Sequence, residues 1–81
     1  MQKIYESPLN GWDESAERVH VYELANDEEF IEIDNMSFDE RCRLCNVSEE
    51  YNVPPGAMYH RYLFTLTANH LIMLETVALN V

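Results

Sequence analysis

One lysine, two glycines and two cysteines are all that this 81-residue chain holds of those residue types, and it has no long hydrophobic run. With glycine only at positions 11 and 56, a glycine-rich loop that cradles phosphates with backbone N–H groups is excluded. Two cysteines are too few for the disulfide framework of a small secreted domain and point to a reducing, cytoplasmic setting. The longest strongly apolar stretch, Leu71 to Leu74, falls far short of the about 20 residues that cross a bilayer. No apolar segment follows a basic N-terminal region, so no secretory leader is expected. Lys3 is the single lysine, and with four arginines against fifteen acidic residues the formal net charge is −10. A chain of this sign repels phosphate backbones and anionic lipid, so neither nucleic acid nor membrane is an expected direct partner.

Apolar residues make up 47% of the sequence, well above the level of disordered chains. The length predicts a single domain over 1–81, in which 1–17 forms an arm or loop. A chain of this size buries about 60% of its unfolded surface and is stable by about 5 kcal/mol. The charge is unevenly placed. Residues 1–50 carry all the acidic groups but one, against Lys3, Arg18, Arg41 and Arg43, whereas residues 51–81 carry only Glu75 and Arg61. An acidic part is thus joined to a neutral, apolar one.

Periodicity predicts an α+β fold: a small antiparallel sheet of about four strands in ββαββ order, packed on one short helix. Met1–Glu6 reads as a short strand or loose arm, 7–11 as a loop, and Asp13–Glu17 as a brief helical turn. Val19–Leu24 is rich in β-formers, and in Phe30–Asp34 the acids alternate with Ile31 and Ile33, which predicts a hairpin over 19–34 with Asn26–Glu29 as its turn. Ser37-Phe38-Asp39-Glu40 has the spacing of a capping box and predicts a helix from Phe38 to about Asn46, with Phe38, Cys42 and Cys45 on its apolar side. Ser48 would cap a separate short turn. Strands are expected over 58–67, with Tyr62, Phe64 and Leu66 on one face, and over 71–81, with Ala68-Asn69-His70 turning between them. The last segment is apolar on both faces, a pattern of strands covered on both sides. One helix cannot supply both covers, so the N-terminal arm, a partner or a second copy of the chain must contribute. A helix over 70–80 is the competing reading.

Cys42-Arg43-Leu44-Cys45 has the C-x-x-C spacing of zinc knuckles and thioredoxin-like sites. A redox thiol needs the lowered pKa of a helix N-terminus, yet the expected N-cap lies five residues upstream. Tetrahedral zinc needs two further ligands, and His20, His60 and His70 show no paired spacing. Buried structural thiols are the favoured reading, and neither metal nor cofactor is expected. His20 and His60 fall within strands and His70 at a turn, where each reads as structural. The acidic stretches also lack the D-x-[DN]-x-[DN]-G pattern of a calcium loop.

The remaining candidate is the acidic surface. Asp27, Glu28, Glu29, Glu32, Asp34, Asp39 and Glu40, joined by Glu49 and Glu50, lie close enough in sequence to gather on one face. Such a face complements the basic groove of a nucleic-acid-binding protein or complex. In size and charge alone, the chain is similar to small phage and mobile-element proteins that block host nucleases or CRISPR complexes as nucleic-acid mimics. A non-catalytic inhibitor of that kind is therefore the leading expectation. The competing ones are a small adaptor or toxin-neutralising subunit, which uses the apolar C-terminal hairpin and pairs with a second copy, and a zinc or redox protein built on Cys42 and Cys45. Excess acid as plain solvation, as in halophilic proteins, is the bland alternative.

Overall fold

In the computed structural model the described residues are 1–12, 15–47 and 57–79, with 12, 57–59 and 79 described by backbone alone. The elements run β1 (Gln2–Glu6), β2 (Asn10–Trp12), β3 (Ser15–Glu23), α1 (Asp27–Asp34), α2 (Phe38–Leu44), β4 (Ala57–Leu66) and β5 (His70–Leu79). The α+β class therefore holds, with five antiparallel strands and two helices among the described residues.

The order across the sheet is β1-β3-β5-β4, and β2 also pairs with β3. β1 and β2 share one side of β3 as an interrupted edge: Glu6 pairs with His20, Ser7 donates its N–H to Val19 O at 2.9 Å, and pairing resumes at Asn10 with Glu17. Pro8 sits in the break, where its missing N–H costs no ladder bond. Of the two expectations for Met1–Glu6, strand and loose arm, the structure shows the strand. Asn10 and Gly11, expected within a loop, belong to the short strand β2, so the arm or loop expected over 1–17 is mostly edge strand in its described part. Gly11 closes against β3 with φ +152°, and a Cβ built there would lie 2.2 Å from Ser15 O, so glycine is required. The expected helical turn at 13–17 is instead the start of β3 from Ser15 onward.

The main correction concerns the 19–34 hairpin. Its first half is β3, but 27–34 is helix α1, and β3 takes β5 as its partner in place of 30–34. Local chemistry explains the choice. Asn26 caps the helix by accepting the Glu29 N–H at 3.0 Å, and Asp27, Glu28 and Glu29 fill the first turn, where carboxylates favour the helix dipole. The alternation of Ile31 and Ile33 is overridden, because on a helix they point apart: Ile33 is 1% exposed and Ile31 58%. The element order accordingly has three strands before two helices and two strands after.

α2 follows the expected capping box, with Glu40 N–H donating to Ser37 Oγ at 3.2 Å and Ser37 N–H to Glu40 Oε1 at 3.3 Å. Asn46, at φ +57°, takes the left-handed conformation that ends helices. The expected turn capped by Ser48 lies outside the described residues. The C-terminal hairpin is as predicted, strand and not helix, with Thr67 and His70 closing the turn.

Both helices lie on one face of the sheet. Ile33 and Cys45 pack against Tyr22, Tyr62, Leu71 and Met73, with Leu24, Met36, Phe64 and Leu66 around them. Phe38 meets Phe64 edge to face, ring centres 5.6 Å apart. The inner face is therefore built from even-numbered residues of β3 and β4 and odd-numbered residues of β5. Among the described residues the opposite face carries no helix.

Candidate functional site

Two features carry functional interest: the acidic helical layer, and a buried polar chain on the same face of the sheet. At 100° per residue, Asp34, Asp27, Ile31, Glu28 and Glu32 occupy about 160° of the outward side of α1. All five are exposed, and none of the four carboxylates has a side-chain hydrogen bond or ion pair among the described residues. Four charges within about 10 Å of helix give about one per 3 Å, close to the one phosphate about every 3.4 Å along each strand of duplex DNA.

Two other acids of the layer, Glu29 and Glu40, are structural. Glu29 accepts the Met1 ammonium at 2.9 Å and the Ala25 N–H at 3.0 Å, and these bonds hold its carboxyl below the ordinary value. Glu40 is likewise held low by the Ser37 bonds of the capping box. Asp39 is exposed beside it. Of the layer's two cations, Arg41 is turned inward, donating Nε–H to Ile33 O at 3.2 Å and so capping the C-terminal end of α1. Seven of the nine acids proposed from sequence are thus together on the helical layer, on helices and not on a strand and turn. Glu49 and Glu50 lie outside the described residues.

The buried chain escaped the sequence reading. Glu75, in the middle of β5, points inward with Leu71, Met73 and Val77. Its Oε1 lies 2.9 Å from His20 Nε2 on β3 and its Oε2 2.6 Å from His60 Nε2 on β4. The ladder places Glu75 directly between Arg18 and Tyr62, while the two imidazoles reach it diagonally from opposite ends of the strand. Arg18 Nε approaches to 3.8 Å, an ion-pair distance only. The far nitrogen of His20, Nδ1, lies 3.1 Å from Glu6 Oε1 without hydrogen-bond alignment. A chain from Glu6 through His20 and Glu75 to His60 thus crosses all four columns of the sheet. His20 is 6% exposed, so the chain is nearly closed to solvent from His20 to His60, while its outer end, Glu6, is exposed. Burial pushes the Glu75 carboxyl up, but hydrogen bonds from His20 and His60, with the charges of His60 and Arg18, outweigh it and hold it below the ordinary glutamate value.

A signal for this group exists in the sequence. Glu75 is the only acid of 51–81 and stands in phase with apolar residues, as do His20 with Tyr22 and His60 with Tyr62. An ionisable residue on the core phase requires a partner, and three such residues on three strands supply one another.

Cys42 and Cys45 are both buried. Burial pushes the Cys45 thiol up, only partly offset by its hydrogen bond with the Tyr22 hydroxyl, so it is held protonated at neutral pH. Tyr22 is in turn pushed well above its ordinary value by burial and by Cys45. Among the described residues no group of three or more His, Cys, Asp or Glu side chains is arranged to hold a metal ion, and no helix is long and apolar enough to cross a membrane. Comparison with protein families, curated proteins and solved structures finds no match.

Proposed function

We propose that this protein is a binding inhibitor, not an enzyme, whose acidic helical layer occupies a basic groove of a nucleic-acid-binding protein or complex. The observation that carries the reading is the outward side of α1, where Asp27, Glu28, Glu32 and Asp34 surround the exposed Ile31. Unpaired carboxylates at near-phosphate spacing complement a groove lined by Arg and Lys, and an apolar side chain at their centre adds a contact that desolvates on docking. The class of action is that of anti-restriction or anti-CRISPR-like nucleic-acid mimics, exerted in the cytoplasm, the host's if the gene is phage-borne.

Immobilised protein incubated with nuclease-treated host lysate at low and high salt tests the proposal. Retention of a basic protein at low salt, release at high salt, and competition by duplex DNA are expected. The combined variant Asp27→Asn, Glu28→Gln, Glu32→Gln, Asp34→Asn should retain the fold and lose the capture. Capture that ignores both salt and these four changes would refute the reading.

A small adaptor or regulatory subunit is the second reading, supported by the helix-free face of the sheet. The third, a zinc or redox role for Cys42 and Cys45, is weakened by their burial and by the raised Cys45 pKa.

A further inference from the structure

The strand registers fix the layout of the helix-free face in rows that run across β3, β5 and β4. Glu17, Thr76 and Arg61 form the first row, Val19, Leu74 and Leu63 the second, and Val21, Ile72 and Thr65 the third. Glu23 and His70 begin the fourth, and Tyr5 of β1 flanks Val21. Apolar rows are therefore bounded by Glu17 and Arg61 at one end and by Glu23 at the other. Leu63 is 62% exposed and Tyr5 55%, while Val19, Val21, Ile72 and Leu74 are partly exposed. Glu17 and Arg61 flank a shallow cleft of about 280 Å³ over Leu63, Leu74 and Thr76.

We infer that this face is the self-association surface of the protein, and that its occupant is the same face of a second copy. Two arrangements stack the sheets face to face with two-fold symmetry. An axis perpendicular to the strands lays the first row on the fourth of the copy and sets Glu17 against Glu23, like against like. An axis parallel to the strands lays each row on itself with its order reversed. Glu17 then meets Arg61 of the copy, Arg61 meets Glu17, Val19 meets Leu63, and Leu74 and Ile72 meet their own counterparts. Charge selects this second arrangement. Arg61 has a contact within its own chain, and a guanidinium with five donors serves a second acceptor beside it.

Area and net charge both permit the dimer. With the axis along β5, the columns β3, β5 and β4 overlap their counterparts, and three columns about 4.8 Å apart with four rows about 6.8 Å apart give a plane of about 400 Å² per protomer, the size of a small interface that relies on its charge pairs. The helical layers face outward from the two stacked sheets and stand about 30 Å apart. The Debye length at physiological salt is about 8 Å, so their repulsion is screened.

Sedimentation equilibrium of the full chain and its variants tests the inference, with circular dichroism confirming each fold. The wild type should be a dimer at micromolar concentration. Leu63→Asp, at an exposed position, should leave it monomeric. Glu17→Arg alone and Arg61→Glu alone should each weaken self-association by about tenfold, since both symmetric contacts turn repulsive. An equimolar mixture of these two single variants should restore a dimer, because every facing pair is then of opposite charge. A monomeric wild type, a dimer indifferent to Leu63→Asp, or a mixture that associates no better than either variant alone would overturn it.

Discussion

Glu75 and His20 lie on adjacent strands, offset by one step of the same sheet face, and share a 2.9 Å contact between Oε1 and Nε2 in a nearly closed interior. His60 takes the other carboxylate oxygen. One side chain of β5 thus ties together strands from both halves of the chain.

Removing that carboxylate is expected to be severe. Glu75→Ala strands two imidazoles and the nearby Arg18, a change that costs about 3–5 kcal/mol in buried pairs and nearly exhausts the about 5 kcal/mol available to a chain of this size. Glu75→Gln keeps one acceptor oxygen and should lose less, about 1–3 kcal/mol. Urea denaturation of both variants reads the difference, and a Glu75→Ala protein of unchanged midpoint would show the group to be idle.

Acid should act through the same carboxylate. Glu75, Glu6, Glu29 and Glu40 all titrate below the ordinary value of 4.5 in the folded protein. Depressed carboxyls contribute stability that is fully present above that value and is lost as pH falls through the lowered folded ones. The urea midpoint should therefore be insensitive to these groups from neutrality to about pH 5.5 and fall steeply below about pH 4.5. The gap between wild type and Glu75→Gln should narrow over that acid limb. A gap that stays constant would separate Glu75 from the acid transition.

Ile31 and Ile33 supply a direct check on α1. Ile33→Ala empties a fully buried position and should cost about 2–4 kcal/mol, whereas Ile31→Ala, on the exposed side, should change stability by less than about 0.5 kcal/mol. A strand over 30–34 would place both on one face and give them similar costs. Ile31→Ala should nevertheless weaken partner capture.

The cysteines should be slow toward thiol reagents. With both buried and Cys45 held protonated, native protein at neutral pH is expected to react far more slowly with an aromatic disulfide reagent than the urea-unfolded chain, which should titrate both thiols at once. Rapid native reaction of either would reopen the redox reading.

Much of this architecture is legible in the sequence, and the exceptions have physical causes. The capping box at Ser37–Glu40 and the C-terminal strands are local signals that the packing left intact. The 30–34 segment misled because its acid–isoleucine alternation also fits one turn of helix, and Asn26 with the acids after it decided the matter. The acids of 27–40 were legible as a cluster, although which of them are committed to caps and to the N-terminus depends on the fold. Glu75, His20 and His60 required the register, since three strands distant in sequence must align before one carboxylate can meet two imidazoles.

The placement of β5 between β3 and β4 also sets a timetable for the growing chain. His20 pairs opposite Met73, more than fifty residues later, and β4 has no described strand neighbour other than β5. As the polypeptide leaves the ribosome, β1, β2 and β3 can form only a ribbon with one bare side until residues 70–79 appear. Closure across so long a loop is entropically slow, so folding should proceed late and on the millisecond-to-second scale of sheets rich in distant pairings. The bare edge of β3 is the point at which a nascent chain is most exposed to pairing with a neighbour.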